Sequence, residues 1–225
     1  MKTAVVIPAY NESKIISQTI AGLRAQNQVS EVIVVDDGSA DNTGPAARAA
    51  GAVVLRHLVN RGQGAALQTG INFALKHGAK IIITFDADGQ HDAKEIVKMI
   101  EPIISGQSAV VLGSRFLVKQ NQVPFSRLAV LKLAIIFTRI YTGLTVTDVH
   151  NGFRAFSAKA ASQLDLRQDG MAHASEILEQ IRKHRLAFCE VPVTIAYTDY
   201  SLHKGQRLSN SFRIVFELIL GRLTK

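Results

Sequence analysis

Two carboxylates follow an apolar segment of this chain, in the sequence Asp86-Ala87-Asp88-Gly89-Gln90. If that segment is a β-strand, the chain turns after it, and two acids spaced two residues apart can face one point. The carboxylates of Asp86 and Asp88 and the amide oxygen of Gln90 form a hard oxygen set that suits Mg²⁺ or Mn²⁺, completed by water and substrate phosphates. Acids with this spacing are also typical of a turn or a helix cap, so the pair alone does not establish a metal site.

Further acids follow two other apolar segments. Glu12 comes shortly after the first of them, and Asp36-Asp37 ends the second. The carboxyl ends of parallel strands meet at one edge of a sheet, so we expect these acids to lie near Asp86 and Asp88. Carboxylates placed so close together repel unless a cation or hydrogen-bond donors compensate. The combination predicts a metal–diphosphate site with Mg²⁺ or Mn²⁺ as the cofactor.

Three other features each have two interpretations. The turn Arg61-Gly62-Gln63-Gly64 precedes a predicted helix and either approaches a phosphate or sugar or serves close helix–sheet packing. His91, beside the metal motif, and His203, in a later loop, either support the site or are ordinary surface and packing histidines. Cys189 lies in a predicted strand and is expected to be a small core residue rather than a nucleophile.

Short apolar runs alternate with helical patterns through the first half of the chain, which predicts an α/β fold. The predicted strands are Thr3–Ile7, Glu31–Val35, Ala52–Arg56, Lys80–Phe85 and Ala109–Leu112. The predicted helices between them are Ser13–Ala25, Thr43–Ala50, Gly64–Lys76 and Asp92–Ile104. A helix over Ala174–His184 and a strand over Ala187–Ile195 follow later. Strands separated by helices in this way indicate βαβ units and a mostly parallel sheet.

The net charge of +8 is unevenly distributed. Residues Arg115–Arg139 carry +5 and His203–Lys225 carry +4, so the rest of the chain carries −1. Both segments are rich in Leu, Ile, Val and Phe, which favours a membrane surface or an amphipathic anion over nucleic acid as the partner. They contain predicted helices over Ser126–Tyr141 and Ser211–Leu223, and neither has the apolar run of about 18 residues that a bilayer span requires.

Composition indicates one globular domain. A hydrophobic content of 47% excludes disorder, and the single cysteine excludes a disulfide framework. A chain of 225 residues can bury roughly 70% of its unfolded surface. With no secretory signal peptide at the N-terminus, the lone thiol favours a reducing cytosolic compartment.

Several motifs together resemble those of family 2 glycosyltransferases. They are Val5–Glu12, Val34–Ser39, Asp86 and Asp88 with Gln90, Gly113–Phe116 and Thr147–Arg154. The resemblance covers nearly the whole chain and is strongest to the polyprenyl-phosphate sugar synthases, the branch that includes dolichyl-phosphate mannose synthase. It implies a Rossmann-like fold of the GT-A type, as a single domain over residues 1–225. In that domain, residues 1–113 would form the nucleotide-sugar-binding half, and residues 114–225 an acceptor half with amphipathic helices.

The resemblance also implies roles for individual residues. Donor-binding residues would be Pro8, Tyr10, Glu12, Asp37, Asp86, Ala87 and Lys204, with Asp37 accepting from the base and Glu12 near the ribose. Metal ligands would be Asp86, Asp88 and Gln90. Arg115 and Arg127 would grip an acceptor phosphate, and Lys204 would close over the donor phosphates. Asp148 would act as a general base or support the backbone beside it; Asp169 and Glu176 are further candidate bases.

The leading hypothesis is an inverting, metal-dependent transfer of one sugar from a nucleotide-sugar, UDP- rather than GDP-linked, to polyprenyl phosphate such as undecaprenyl phosphate. The enzyme would lie at the cytoplasmic face of the cell membrane as a peripheral protein, held there with the help of a small membrane-protein partner. The chain has no Trp and no Q-x-x-R-W motif, which favours one sugar per turnover over processive synthesis.

Three alternatives stay open. The first is a glycosyltransferase that acts on a saccharide hydroxyl in cell-surface polysaccharide synthesis. The second is a metal-dependent nucleotidyltransferase, which would release pyrophosphate. The third is a non-catalytic nucleotide-sugar-binding subunit.

Overall fold

The computed structural model of this chain describes residues 1–118, 139, 143–170 and 172–196. Its strands are β1 (Thr3–Ala9), β2 (Glu31–Asp36), β3 (Val53–Arg56), β4 (Ile81–Thr84), β5 (Val110–Ser114), β6 (Arg154–Ser157) and β7 (Phe188–Pro192). Its helices are α1 (Ile16–Arg24), α2 (Thr43–Ala49), α3 (Gln63–Lys76), α4 (Ile96–Ile104), α5 (Ala158–Ala161) and α6 (His173–Lys183). Short 3-10 turns lie at Ala93–Glu95 and Arg115–Leu117.

The seven strands form one sheet in the order β3-β2-β1-β4-β6-β5-β7. Every neighbouring pair is parallel except β4–β6 and β6–β5, so β6 alone runs against the others. In the register, Val6 lies opposite Thr84, and Leu112 lies opposite Glu190. The carboxyl ends of the six parallel strands therefore share one edge, where the residues that follow β1, β2, β4 and β5 are brought together.

Apolar cores lie on both faces of the sheet, because successive strand residues point to opposite sides. Val5 and Ile7 of β1 contribute to the core covered by α1, α2 and α4, whereas Ala4 and Val6 contribute to the core covered by α3, α5 and α6. Burial on both faces is the reason that β1, β2 and β4 are continuous apolar, β-branched runs rather than alternating ones.

Most predicted elements are found with shifted ends, but one predicted helix divides, and the short elements α5, β6 and Arg115–Leu117 were not predicted. The predicted helix Asp92–Ile104 divides into the turn Ala93–Glu95 and α4. Strand β6 was not predicted, because four residues with an arginine at the start carry no periodic signal. The predicted helix Ser211–Leu223, and Ser126–Tyr141 except for Arg139, lie outside the described residues. Within the described ranges, no helix has the length and apolar character needed to cross a bilayer.

Candidate functional site

The carboxylate of Asp86 lies just after β4 and is held by two side chains from different parts of the chain. Gln63 at the start of α3 donates from Nε2 to Asp86 Oδ1 at 3.2 Å. His91 Nε2 is 3.0 Å from Asp86 Oδ2. Gly152 packs against both carboxylate oxygens so closely that a Cβ at this position would collide with them. Asp86 is therefore oriented from three sides, while its side chain keeps some exposure to solvent.

The His91 ring is enclosed by aromatic side chains. Its centroid is 5.2 Å from that of Phe85 and 5.3 Å from that of Phe153. Nδ1 of the ring is buried and has no hydrogen-bond partner among the described residues. Since Nε2 is the nitrogen that faces a carboxylate, it carries a ring proton and donates it to Asp86. His91 thus contacts Asp86 directly, which agrees with the interpretation from sequence that it supports the site.

The pKa values of the two acids in the metal motif are shifted in opposite directions. Although burial acts in the opposite direction, the hydrogen bond and charge of His91 and the charges of His173 and Arg154 hold the pKa of Asp86 below its ordinary value. Burial, together with the negative charge of Asp86, raises the pKa of Asp88 to about 6. The charge of Glu12 adds to that rise. Asp88 therefore lies where a cation would relieve both desolvation and repulsion.

The donor set fits a cation that also binds phosphate. Among the residues the structure describes, no group of three or more His, Cys, Asp or Glu converges to hold a metal ion alone. Mg²⁺ and Mn²⁺ are commonly bound by one or two carboxylates, with water and substrate phosphates as the remaining ligands. Asp86, Asp88 and Gln90, which follow one another at the end of β4, fit that arrangement.

Asp37, at the end of β2, is buried and accepts three hydrogen bonds from the loop that follows β3. Its Oδ1 is 2.6 Å from His57 Nδ1 and accepts from the backbone N–H of Arg61 at 2.9 Å. Its Oδ2 accepts from the N–H of Gly62 at 2.7 Å. A carboxylate has about four acceptor positions, so this geometry leaves little capacity for a base edge. The observed role of Asp37 is to hold the 57–62 loop, and its contact with the donor base stays a prediction.

The glycine turn before α3 packs against a distant backbone segment. Gly64 donates its N–H to the carbonyl of Asp169 at 2.8 Å. A Cβ on Gly62 would collide with the Asp169 carbonyl, and one on Gly64 with the Gln168 carbonyl. Close approach of these backbones therefore disfavours a side chain at both positions, and the positive φ of Gly62 disfavours one there as well. The packing partner of this turn is a loop rather than the sheet, and the phosphate or sugar contact considered from sequence stays a prediction.

Arg115 and Asp148 form a largely buried ion pair directly after β5. Asp148 Oδ2 accepts from Arg115 Nε at 2.6 Å and from its backbone N–H at 3.2 Å. Asn151 Nδ2 approaches the same oxygen at 3.4 Å. The Asp148 side chain is 1% exposed and that of Arg115 12%. The carboxylate therefore sets the orientation of the guanidinium at the carboxyl edge of the sheet.

A second carboxylate, Glu190 of β7, binds the residue before Asp148. Glu190 Oε1 accepts from the backbone N–H of Thr147 at 2.8 Å and from Thr147 Oγ1 at 2.9 Å. The same oxygen accepts from the N–H of Asp148 at 3.3 Å. Ser114 Oγ lies 2.6 Å from Thr147 Oγ1. The 147–148 turn is thus attached to both β7 and the end of β5.

Comparison with known proteins identifies the family. A family-wide sequence model described as "Glycosyl transferase family 2" matches residues 4–165. The chain belongs to glycosyltransferase family 2. It is 34% identical to the UDP-N-acetylglucosamine–dolichyl-phosphate N-acetylglucosaminyltransferase of Methanococcus voltae, covering 98% of this chain and 96% of that protein. It is 30% identical to the undecaprenyl-phosphate mannosyltransferase of Micrococcus luteus, covering 86% of this chain and 83% of that protein.

The fold of this family 2 glycosyltransferase is also found in a solved structure. Glucosyl-3-phosphoglycerate synthase from Mycobacterium tuberculosis, crystallised with Mn²⁺, UDP and glucosyl-3-phosphoglycerate, matches with a TM-score of 0.77. The match covers 99% of this chain and 79% of the other at 21% identity, which establishes the fold alone. The Rossmann-like, GT-A type of α/β architecture predicted from sequence is confirmed, with its mostly parallel sheet flanked by helices.

The structure brings some of the predicted site residues of the glycosyltransferase together. Glu12, Asp86 and Asp88 are near enough to affect one another's charge, and Arg115 pairs with Asp148. The side chain of Tyr10 is exposed at the same edge, whereas Ala87 is buried. Pro8 lies in β1, paired with Val35. Arg127, His203 and Lys204 lie outside the described residues, so their roles stay predictions.

The two other candidate bases of this glycosyltransferase do different work. Glu176, in α6, is buried and accepts from the backbone N–H groups of Arg167 and Gln168 at 3.1 and 2.9 Å. It therefore caps the 167–168 segment rather than facing the open edge. Asp169 is exposed, and its carbonyl receives the Gly64 N–H.

Sequence reasoning missed Glu190 and the contact between Gln63 and Asp86. Glu190 lies inside the predicted strand Ala187–Ile195, next to apolar residues. This position was the available signal, because an acid in a buried strand needs hydrogen-bond donors nearby. Gln63 lay within a recognised motif, but the spacing of 23 residues to Asp86 holds no local signal. Only the adjacency of α3 and β4 brings them together.

Proposed function

We propose that this enzyme transfers one sugar, with inversion, from a nucleotide-sugar to polyprenyl phosphate at the membrane surface. A UDP-sugar is favoured over a GDP-sugar as donor, and undecaprenyl phosphate is a suitable acceptor. The observation that carries the proposal is the Arg115–Asp148 pair, which holds a guanidinium in a set orientation at the same sheet edge as the acids. The M. voltae and M. luteus relatives, named for dolichyl-phosphate and undecaprenyl-phosphate acceptors, support the acceptor class.

Donor binding is assigned to the half of the chain that includes residues 1–113. Asp86, Asp88 and Gln90 would hold Mg²⁺ or Mn²⁺. When bound there, such a cation stabilises the charge of the leaving diphosphate as a Lewis acid. Pro8, Tyr10, Glu12, Asp37 and Ala87 would hold the nucleoside, and Lys204 would close over its phosphates. The mycobacterial crystal structure of the same fold, which contains Mn²⁺ and UDP, supports a UDP-sugar donor and a divalent cation.

Acceptor activation needs little beyond positioning. A phosphate monoester is already an oxyanion at neutral pH, whereas a sugar hydroxyl requires a general base. The planar guanidinium of Arg115 can bind phosphate oxygens in a bidentate manner, and Arg127 would be its second arginine. Asp148 is buried and already paired through Oδ2, which favours the role of orienting Arg115 over proton abstraction.

The test is incubation of the purified protein with Mn²⁺, radiolabelled UDP- or GDP-sugars and undecaprenyl phosphate. We expect a lipid-linked monosaccharide, one nucleoside diphosphate per turnover, and an inverted anomeric configuration in the product. Product formed only on water-soluble saccharides would refute the lipid acceptor. Release of pyrophosphate would instead identify a nucleotidyltransferase, and binding of donor without turnover by the intact complex would indicate a non-catalytic subunit.

A second candidate, transfer to a saccharide hydroxyl, has one observation in its favour. Asp148 Oδ1 is buried without a hydrogen-bond partner among the described residues, so this carboxylate oxygen has an unused acceptor position. Asp148→Asn separates the two functions. Loss of kcat with unchanged acceptor KM would favour a base, whereas a raised KM for polyprenyl phosphate would favour the orientation of Arg115.

The membrane location belongs to the same proposal. The basic and apolar segments Arg115–Arg139 and His203–Lys225 would contact anionic lipid at the cytoplasmic face, so that a lipid acceptor reaches the site from the bilayer. A small membrane-protein partner would assist this attachment. Flotation of the protein with vesicles, with and without such a partner, tests both statements.

A further inference from the structure

We propose that Glu190 is a positioning residue for the acceptor: it holds the 147–148 turn so that Asp148 orients Arg115 toward the acceptor phosphate. The inference rests on the proposed function, since it assigns Arg115 to an acceptor phosphate. Glu190 touches neither substrate nor metal in this scheme. It acts through two intermediates, the Thr147–Asp148 backbone and the Asp148 carboxylate.

Glu190 accepts hydrogen bonds from three donors of the 147–148 turn. Its two oxygens accept from both N–H groups of the 147–148 turn and from the Thr147 hydroxyl, at distances from 2.8 to 3.3 Å. Hydrogen bonds to a carboxylate are about twice as strong as those between neutral groups. A single side chain of β7 therefore determines where this turn lies.

The hydroxyl groups of Thr147 and Ser114 connect Glu190 to the end of β5. The Thr147 hydroxyl donates to Glu190, so it accepts from Ser114 Oγ, which must be the donor over their 2.6 Å separation. Ser114 immediately precedes Arg115, and Thr147 immediately precedes Asp148. The chain thus has two adjacent cross-links, Ser114–Thr147 and Arg115–Asp148, and Glu190 is attached to the first of them.

The position of Asp148 determines the orientation of the Arg115 guanidinium. Asp148 binds Arg115 through Nε and the backbone N–H, so rotation or displacement of residue 148 would turn the guanidinium with it. Displacement of a binding group by about 1 Å can reduce a rate by about a hundredfold. Strand β7 is hydrogen-bonded to β5, the strand that ends directly before Arg115. Glu190 therefore fixes the position of the turn relative to the sheet edge at which Arg115 lies.

The chain contains a matched control for loss of a glutamate–threonine contact. Glu95 is buried and accepts from the backbone N–H of Thr194 at 2.9 Å and from its hydroxyl at 3.2 Å. This contact has the same chemistry as that of Glu190 with Thr147, but it does not involve the 147–148 turn. Glu95→Ala should therefore reproduce the loss of stability without moving Arg115.

The experiment compares Glu190→Ala, Glu190→Gln and Glu95→Ala in sugar transfer to undecaprenyl phosphate, at a temperature where all three are folded. In Glu190→Ala we expect the acceptor KM to rise by about tenfold, while kcat at saturating acceptor changes less than about threefold. Glu190→Gln, which keeps one acceptor oxygen, should lie between wild type and Glu190→Ala. Glu95→Ala should keep the wild-type acceptor KM, and the Kd of UDP with Mn²⁺ should be the same in wild type and both Glu190 variants.

A second pair keeps the test decisive if Glu190→Ala does not fold. Thr147→Val removes the shared hydroxyl and should raise the acceptor KM, whereas Thr147→Ser should retain the wild-type value. An unchanged acceptor KM in the folded Glu190 and Thr147→Val variants, or an equal rise in Glu95→Ala, would overturn the role of Glu190 while the proposed function stands. Failure of wild type to use polyprenyl phosphate at all would overturn the proposed function itself.

Discussion

Within the metal motif, neighbouring basic groups among the described residues compensate the charge of Asp88 less than that of Asp86. Burial and the charge of Asp86 raise its pKa to about 6, and the described residues make no salt bridge to it. Asp86, by contrast, is supported by Gln63 and His91. This difference divides the motif into a carboxylate that the protein already holds in place and one that a cation would complete.

Asp88→Asn tests this division. Because the substitution removes the charge and a metal ligand, we expect loss of Mn²⁺-dependent UDP binding and a fall in transfer rate of about a hundredfold or more. Titration calorimetry with UDP and Mn²⁺ measures binding independently of turnover. Asp165→Asn is the matched control, since Asp165 forms an exposed pair with Arg167, and such pairs contribute little. Full Mn²⁺-dependent binding in Asp88→Asn would contradict the assignment.

Among the elements, the start of α3 connects the donor side of the site to the segment before α6. Gly64 donates its backbone N–H to the carbonyl of Asp169. Gln63, which lies between Gly62 and Gly64, donates from its side chain to the carboxylate of Asp86. This end of the helix is therefore packed against the backbone of residues 168 and 169. The position of Gln63 depends on that packing.

Gly64→Ala is expected to destabilise the protein by about 1–3 kcal/mol, because its Cβ would collide with the Gln168 carbonyl. Gly22→Ala in α1 provides the control: among the described residues, its Cβ would meet only Ala93 Cβ, at 3.8 Å. Alanine is favoured over glycine inside a helix by roughly 0.5–1 kcal/mol, so Gly22→Ala should stabilise. Urea denaturation measures both, and equal effects of the two substitutions would argue against the close approach.

At the scale of the whole molecule, buried histidines connect stability to pH. His173 is 4% exposed, and burial lowers its pKa to about 4 from 6.5. Above pH 6.5 neither the folded nor the unfolded state protonates it. Between pH 6.5 and about 4, the unfolded chain takes up a proton that the folded protein does not. The free energy of unfolding therefore decreases as the pH is lowered through this window. Below about 4 this contribution is constant.

His173→Asn should make the free energy of unfolding depend less steeply on pH in that window. Summed over the whole window, the difference from wild type should reach up to about 3 kcal/mol. The Asn amide can replace the Nδ1 donor that faces the Gly170 carbonyl at 2.8 Å. His77 makes the same kind of contact with the Phe73 carbonyl at 2.8 Å but is exposed, so His77→Asn is the control. Denaturation of the EDTA-treated protein from pH 4 to 7 measures the slopes, and identical slopes in wild type and His173→Asn would contradict the prediction.

The charge of the whole chain leads to a prediction about membranes. Part of the basic excess serves folding: Arg139 donates to the Val146 carbonyl at 3.1 and 3.2 Å, next to the 147–148 turn. We expect the remaining charge to bind anionic vesicles. Raising ionic strength from 0.1 to 1 M shortens the Debye length from about 10 to 3 Å and should release the protein. Flotation measures this, with neutral vesicles as control; equal binding to both would exclude an electrostatic contribution.

The parallel α/β architecture and the acids at the strand ends could be predicted from sequence, because both depend on local information. Continuous apolar runs such as those of β1 and β4 are required where both faces of a sheet are covered, and the acids follow directly in the chain. The family motifs, from Val5–Glu12 to Thr147–Arg154, are equally local.

Only the tertiary structure decided which partners these residues have. Glu190 meets Thr147 across 43 residues, and Asp37 is engaged by a loop that follows a different strand. Strand β6 is defined by its pairing with β4 and β5 rather than by its own short pattern. Hydrogen-bond partners depend on positions in space, which sequence spacing does not specify once the chain has crossed the sheet.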